Sequence, residues 1–215
     1  MSPQPRLLDL FCGAGGATKG YQRAGFYVVG VDIKPQPHYC GEDFVQTDAL
    51  RFLDEFVVEN MFDAIHASPP CQAFTKARKL QGNAHPNLIE AVRARLVAAG
   101  VPWVIENVEG APLRNPALLC GTMFGLRVYR HRLFETSFPV PFQMHPAHHR
   151  QQVKMGRPVQ EGDVIQVVGN FSGADYARRA MDTPWMSKNE MREAIPPAYT
   201  EWIGKELLRV LQAVA

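Results

Sequence analysis

The sequence predicts an α/β protein, a doubly wound (Rossmann-like) parallel sheet with helices on both faces. Three observations predict this fold. Apolar runs of strand length alternate with helical patterns. A glycine-rich turn follows the first apolar run, and an acidic residue ends or follows several of the later apolar runs. Strands covered on both faces are expected to be apolar throughout, because each side meets a helix. Such alternation favours right-handed crossovers between parallel strands.

The elements can be placed in order along the chain. The predicted strands of the sheet are residues 6–11, 26–32, 44–48, 62–68 and 101–108. Helical patterns lie between them at residues 18–25, 48–56 and 87–100. In the last of these, Asn87 is the predicted N-cap and Gly100 the stop. Residues 163–171 have the pattern of a further strand, and residues 199–214 that of a closing amphipathic helix.

Composition limits the possible classes of protein. The chain has 215 residues, of which 46% are apolar and 20% charged, as expected for one soluble globular domain with a sizeable core. It has no apolar run of membrane-spanning length and no leader before the first strand, so we expect a cytoplasmic protein. The four cysteines have no C-x-x-C spacing. Reduced thiols are therefore predicted, without a disulfide framework.

The chain divides into three predicted regions: a core of residues 1–137, an insertion of residues 138–162, and residues 163–215, which return to the core. The boundary rests on residues 138–159, which contain four prolines and three histidines without a sustained period. Such a segment is typical of loops. We therefore predict a short, loop-rich insertion.

A glycine-rich turn opens the predicted first helix, in the segment DLFCGAGG. Gly13, Gly15 and Gly16 allow a close approach of the backbone to a ligand. The dinucleotide fingerprint fails, because Thr18 occupies its third glycine position. Asp32 ends the second predicted strand, where a ribose hydroxyl would be held, and Asp48 ends the third. The pattern favours an adenosyl ligand without a pyrophosphate, and a purely structural turn is the alternative.

A cysteine follows the fourth predicted strand in the segment SPPCQAF. Pro69 and Pro70 restrict the backbone before Cys71. Taken alone, Cys71 fits a structural residue at least as well as a nucleophile. The carboxyl group of Glu106, which follows the apolar run VPWVI, favours the second interpretation. A thiol and a carboxyl on neighbouring strand ends can act together on one ring, the thiol on a carbon and the carboxyl on a nitrogen.

Arginines at alternate positions mark a third candidate feature, in YRHRLF. On a strand, Arg130 and Arg132 would share a face and could meet a phosphate or carbonyl oxygen in one cleft. Two exposed arginines on an edge strand are the alternative. Residues 127–157 contain six lysines and arginines against one glutamate, a net charge of +5. This local excess indicates either a polyanion site or a solvated loop.

The ordered segments DLFCGAGG, VDI, TDAL, SPPCQAF, ENV, RHRLF and AIPPAY resemble the motif series of DNA cytosine C5-methyltransferases. The resemblance covers residues 6–136 and residues 163–215. Residues 175–204 resemble the compact members that bacteriophages encode. The resemblance implies an S-adenosylmethionine-dependent methyltransferase core in which the insertion is a reduced target-recognition region. It also implies double-stranded DNA as the partner. We expect a monomer in the cytoplasm, or in the host cytoplasm if a phage encodes it.

The resemblance assigns roles to individual residues. Those that would bind S-adenosylmethionine are Phe11, Gly13, Gly15, Gly16, Asp32, Ile33, Asp48 and Pro70. Cys71 would add to C6 of a flipped cytosine while Glu106 holds N3. The other expected catalytic residues are Arg130 and Arg132, at the flipped base and nearby backbone, and Gln72, in a mobile catalytic loop. Thr75, Lys76, Arg78, Lys79 and Arg150 are expected to bind DNA.

Some features depart from the family pattern or leave alternatives open. Val128 stands where the family has glutamine, and the insertion is far shorter than the recognition domains of restriction-linked relatives. A short or relaxed target sequence is therefore predicted. Methylation of tRNA, or DNA binding without catalysis, are the alternative functions. His145, His148 and His149, with Cys40 or Cys120, permit a metal interpretation, but their spacing does not favour tetrahedral zinc, so no metal is expected.

Overall fold

The computed structural model describes residues 4–56, 58, 61–70, 87–153 and 156–214. Within these residues, one sheet contains seven strands: β1 (Arg6–Leu10), β2 (Tyr27–Asp32), β3 (Asp43–Gln46), β4 (Ala64–Ala67), β5 (Trp103–Asn107), β6 (Ala117–Leu119) and β7 (Arg132–Thr136). Their order across the sheet is β3-β2-β1-β4-β5-β7-β6. The first five are parallel, and β7 runs antiparallel to β5 and β6. The doubly wound prediction is confirmed, with an antiparallel pair added at one edge.

The helices of the described residues are α1 (Gly16–Ala24), α2 (Ala49–Glu55), α3 (Ile89–Ala98), α4 (Ala174–Met181), α5 (Lys188–Glu193) and α6 (Pro197–Val214). A short 3₁₀ helix spans Gly121–Phe124. None of these helices is long and apolar enough to cross a membrane.

The two faces of the sheet bury different side chains, because successive residues of a strand point to opposite sides. Leu7 of β1 packs with Tyr21 of α1 and Ile203 of α6 on one face. Its neighbour Leu8 packs on the other face, in a cluster that includes residues of α2 and α3. Both leucines are fully buried. The continuous apolar runs of the sequence therefore reflect a sheet covered on both sides.

Helix α6 rests directly on helix α1 because a glycine lies at their crossing. A Cβ atom added to Gly20 would lie 2.1 Å from the carbonyl oxygen of Pro197. The hydroxyl of Thr200 donates a hydrogen bond of 2.8 Å to the carbonyl of Ala17. The last helix is thereby fixed against the helix that follows the glycine-rich turn.

Two local predictions need correction. Residues 163–171 do not form a strand of the sheet. Ile165 and Val164 make only isolated bridges, to Val128 and Gln152. Ile165 is buried in a separate apolar cluster that includes residues of α4, so its apolar pattern reflects burial without strand pairing. Helix α3 begins at Ile89, and the side chain of Asn87 accepts the amide hydrogen bond of Ile89 from outside the helix.

The insertion is irregular, as its composition predicts. The described residues between 138 and 162 contain no helix and no strand beyond the bridge at Gln152. Phe142 and Met144 are 92% and 78% exposed. The hydrophobic clusters contact this segment near its ends, through Phe138 and Val140 and through Val153 and Val159.

A buried ion pair connects α3 to β7. The guanidinium of Arg93 donates two hydrogen bonds of 2.7 Å, one to each carboxylate oxygen of Glu135. Both side chains are about 95% buried. A parallel pair of bonds between planar groups fixes both the distance and the orientation of the two elements.

We expect the substitution Glu135→Gln to lower the free energy of unfolding by about 3 kcal/mol, because it removes the buried partner charge of Arg93 and leaves only the more exposed Glu90 as an ion-pair partner. Chemical denaturation measures this change. Glu55→Gln is the matched control, because Glu55 forms an exposed pair with Arg51 within one helix. We expect little change from it. Equal effects of the two substitutions would contradict this account.

Candidate active site

The candidate site lies at the carboxyl edge of the parallel strands, where β1 and β4 are neighbours. The strand order reverses at this point, and open α/β sheets bind ligands in the crevice formed there. A cleft occupies this position, with about 1200 Å³ of empty space including its open mouth. The predicted residues that line it are Phe11, Gly13, Gly16, Asp32, Ile33, Pro70, Glu106 and Arg132. The chain fold thus brings together parts of three predicted motifs.

The glycine-rich turn forms the floor of the cleft. Phe11, Gly13 and Gly15 all have positive φ angles, of 60°, 51° and 87°. Asp32 at the end of β2 accepts a 3.1 Å hydrogen bond from the amide of Gly13. On the other side, the indole of Trp185 donates a 2.8 Å hydrogen bond to the carbonyl of Ala14. The turn is therefore held by side chains from two distant parts of the chain.

Asp9 is a lining residue that the sequence analysis did not assign. Its side chain is fully buried. Carboxylate oxygen Oδ2 accepts a 2.5 Å hydrogen bond from the hydroxyl of Thr18, and Oδ1 has no hydrogen-bond partner among the described residues. Burial raises the pKa of Asp9 from 3.8 to about 7, although the hydrogen bond from Thr18 opposes the shift. Near neutral pH this carboxyl can therefore be protonated.

Glu106 near the end of β5 is the second buried carboxyl of the cleft. Its Oε1 lies 3.0 Å from Nε of Arg132, at the start of β7. Burial raises the pKa of Glu106, while the charge of Arg132 and a hydrogen bond from Ser68 lower it. Because burial prevails, the carboxyl holds a proton more readily than an exposed glutamate does.

Asn107 connects β5 to the segment that precedes Cys71. Its side-chain amide donates a 2.9 Å hydrogen bond to the carbonyl of Pro69. Pro70 lines the cleft. Cys71 itself lies outside the described residues, as do Gln72, Thr75, Lys76, Arg78 and Lys79. The structure therefore defines the positions of Pro69 and Pro70, after which the chain continues to Cys71.

Other predicted residues lie away from the cleft lining. Arg130 precedes β7 and is not among the lining residues, although its charge also lowers the pKa of Glu106. Its buried guanidinium donates hydrogen bonds to the carbonyls of Val167 (2.8 Å) and Arg192 (2.6 Å). Asp48 caps α2 by accepting the amide hydrogen bond of Arg51.

Gly15 forms the N-cap of α1 and is not among the lining residues. Arg150 is exposed in the insertion, where its Nη1 donates a hydrogen bond to the carbonyl of Gly162.

The far wall of the cleft comes from a segment that the sequence analysis did not assign. Its lining residues are Glu190, Arg192, Glu193, Ala194 and Ile195. They directly precede the motif AIPPAY or begin it, and their proximity to this motif was the only sequence feature that could have indicated them.

The cleft is lined by both acidic and basic residues. Among all lining residues, five carry carboxyl groups (Asp9, Asp32, Glu106, Glu190, Glu193) and three are basic (Lys34, Arg132, Arg192). Because burial favours the protonated forms of Asp9 and Glu106, the remaining acidic and basic groups of the cleft are equal in number.

The fold and the cleft are those of the Rossmann-like α/β class, which binds ligands at the carboxyl edge of the parallel strands. The family model for C-5 cytosine-specific DNA methylases matches residues 6–116, which include the glycine-rich turn, Cys71 and Glu106. This chain belongs to that family.

Individual relatives agree with this assignment. Type II methyltransferase M1.HphI of Haemophilus parahaemolyticus is 32% identical over 85 residues, which are 34% of this chain and 23% of the relative. Type II methyltransferase M.HgiGI of Herpetosiphon aurantiacus is 31% identical over 120 residues, 50% of this chain and 94% of the relative. For M1.HphI and five further curated relatives, the match spans between 23% and 50% of the relative's own length.

One solved structure covers almost the whole chain. It was provisionally described as a DNA modification methyltransferase encoded within an E. coli prophage. The two chains superpose with a TM-score of 0.67 over 97% of this chain and 99% of the other, at 15% sequence identity. At this level of identity the likeness concerns the fold.

The raised pKa of Asp9 predicts a dependence of stability on pH. The folded state binds the proton more tightly than the unfolded state, so this contribution to stability is present below about pH 4 and lost as the pH rises through about 7. We therefore expect the stability of the parent, relative to Asp9→Asn, to fall by about 1.4 kcal/mol per pH unit in that window. Denaturation of both proteins from pH 4 to 8 measures the difference. A difference that stays constant with pH would contradict the assigned protonation.

Proposed function

We propose that this chain transfers a methyl group from S-adenosylmethionine to C5 of cytosine in DNA. The observation that carries the proposal is the buried carboxyl of Glu106, which lies beside Arg132 in the same cleft that Pro70 lines. Pro70 directly precedes Cys71 in the sequence. A carboxyl with a raised pKa and a cysteine on neighbouring strand ends are the two groups that this reaction requires.

The cleft has features that fit S-adenosylmethionine. The carboxyl groups of Asp32, Glu190 and Glu193 suit the sulfonium and ammonium charges of that molecule. Asp32, at the end of β2, is the expected partner of the ribose hydroxyls. Ile33 is 64% exposed at the cleft and, with Phe11, offers an apolar surface to the adenine ring. When bound, the cofactor supplies an electrophilic methyl group.

The proposed chemistry begins with the thiolate of Cys71 adding to C6 of cytosine. As the S–C6 bond forms, electrons of the C5–C6 double bond shift toward C5 and the N3 side of the ring. A protonated Glu106 can donate a hydrogen bond to N3 and stabilise this charge. C5 would then take the methyl group as the bond between that methyl and the sulfonium sulfur breaks, which leaves a neutral thioether, and C5 would lose its proton to a base. Elimination breaks the S–C6 bond, restores the double bond and frees the thiolate.

Arg132 has two parts in this proposal. Its Nε lies 3.0 Å from Glu106, and its Nη1 donates a 2.8 Å hydrogen bond to the carbonyl of His131. The side chain is thereby oriented, and its charge favours the anionic form of Glu106, which limits the rise of the pKa. It also provides a donor to the cytosine carbonyl oxygen at the edge of the same cleft.

The substrate base must leave the duplex for this reaction, because the thiol and the methyl donor approach atoms that are stacked in DNA. Arg127, Arg150 and Arg157 are exposed around the insertion and are available for phosphates. The guanidiniums of Arg127 and Arg150 both donate to the carbonyl of Gly162. We expect the affinity for DNA to fall with increasing salt concentration.

Trapping with 5-fluorocytosine tests the reaction. We expect a duplex that contains this base in the target sequence to form a denaturation-resistant adduct with the parent, because fluorine cannot leave C5 as a proton does. The adduct requires S-adenosylmethionine, and Cys71→Ala abolishes it. Gel electrophoresis of denatured mixtures over a set of duplex contexts measures it. Adducts on tRNA but on no duplex would move the substrate to RNA. If neither forms although the cofactor binds, the proposed activity is wrong.

The role of Glu106 predicts a selective defect. We expect Glu106→Gln to lower kcat by about 10²- to 10⁴-fold, because the amide cannot transfer a proton to N3. The Kd for S-adenosylmethionine should change far less, and calorimetry measures it beside the single-turnover rate. Glu55→Gln, on the exposed face of α2, is the control. If Glu106→Gln kept parental kcat, Glu106 would have no part in the chemistry.

A further inference from the structure

A cysteine and three histidines converge outside the cleft. Cys120 follows strand β6, and His131 directly precedes β7, whereas His145 and His148 belong to the insertion. Each offers one possible ligand atom, and these four atoms all lie within 4.8 Å of one another. No other such group is present in the described part of the chain. Three segments of the chain therefore meet at this cluster.

The distances within the cluster are close to those of a metal site. Nε2 of His131 lies 3.0 Å from Nε2 of His145, and Sγ of Cys120 lies 3.4 Å from Nε2 of His148. For tetrahedral zinc, with Zn–N of about 2.0–2.1 Å and Zn–S of about 2.3 Å, neighbouring ligand atoms are separated by roughly 3.3–3.6 Å. The remaining pairs lie within 4.8 Å and need to shorten by about 1.5 Å at most to reach this geometry.

The surroundings orient the rings for metal binding. Nδ1 of His131 lies 3.6 Å from a carboxylate oxygen of Glu109, so its Nε2 is directed to the cluster. A carboxylate near the second nitrogen of a ligand histidine is a common feature of zinc sites. The ring of Tyr129 stacks on that of His148 with a centroid distance of 3.6 Å and an angle of 7°. The hydroxyl of Tyr129 is itself held by the carbonyl of Arg150.

We propose that Cys120, His131, His145 and His148 bind one Zn²⁺ ion. A thiolate with three imidazoles selects zinc over Mg²⁺ and Ca²⁺, which prefer oxygen ligands. Four protein ligands complete the tetrahedron and leave no position for a substrate, so the site is structural. This inference does not depend on the proposed methyl transfer.

The zinc ion would stabilise the position of the insertion relative to the sheet. The insertion contains no helix in its described residues, and its apolar contacts lie near its ends, at Phe138 and Val140 and at Val153 and Val159. Burial therefore contributes little to the order of the part between them, which carries His145 and His148. A metal that joins His145 and His148 to the ends of β6 and β7 would hold this segment against the sheet. His131, one of the ligands, directly precedes Arg132 of the cleft. The same ion would therefore steady the strand end that carries Arg132.

Metal analysis of the untagged protein, purified without chelators and dialysed into metal-free buffer, tests the site. We expect about one zinc per chain by mass spectrometry. His148→Ala should lower the zinc content at least fivefold, and since His148 is exposed, this variant should remain folded. His149→Ala is the matched control, an exposed histidine at the next position that is not part of the cluster, and should keep full zinc content.

Cobalt substitution provides a second measurement that does not rely on the metal acquired in the cell. After zinc removal, Co²⁺ added to the parent and to His149→Ala should give the intense visible bands of a tetrahedral ion and a thiolate charge-transfer band. Cys120→Ser should lose the charge-transfer band. Less than a tenth of an equivalent of zinc together with no tetrahedral cobalt spectrum would overturn the proposal. In that case the four residues form hydrogen bonds alone.

Discussion

The hydrogen bond from the Asn107 amide to the Pro69 carbonyl is the contact on which the geometry of the candidate site depends. It connects β5, which carries Glu106, to the segment that leaves β4 toward Cys71. Parallel pairing of β4 and β5 places the two strand ends side by side. The hydrogen bond between the Asn107 amide and the Pro69 carbonyl, 2.9 Å long, then fixes the path of the backbone after β4. Because Pro69 and Pro70 also restrict that path, the departure point of the cysteine segment is defined by both local and long-range constraints.

Burial gives the cleft its chemical character. Asp9 and Glu106 are both removed from water, and the pKa of each is raised mainly for that reason. They differ in their neighbours, because Thr18 donates a hydrogen bond to Asp9 whereas Arg132 places a positive charge beside Glu106. One cleft with several carboxyl groups can thus contain both protonated and ionised carboxyl groups. This separation of roles is a common requirement of acid–base catalysis.

The sequence predicted features that depend on local pattern. Apolar runs such as residues 26–32 identified strands, and Glu106 was found because a charged residue after VPWVI is costly to bury without a role. Features that depend on distant contacts could not be found this way. Arg130 fills a buried position between Val167 and Arg192, and no local pattern indicates those partners. The sequence likewise did not indicate His131 as a partner of the insertion histidines, since His131 and Cys120 join His145 and His148 only in three dimensions.

The crossing of α6 over α1 also affects how the protein is made. The glycine-rich turn and α1 leave the ribosome before the far wall of the cleft and α6, which are synthesised about 170 residues later. Until then, Gly20 and its neighbours on α1 have no partner to cover them, and the cleft has an open side. A nascent chain therefore exposes apolar surface for most of its synthesis, and its sheet must remain soluble while incomplete. A chain arrested before residues 190–195 would lack the far wall of the cleft, so a ligand would meet only the wall formed by the strand ends and the glycine-rich turn.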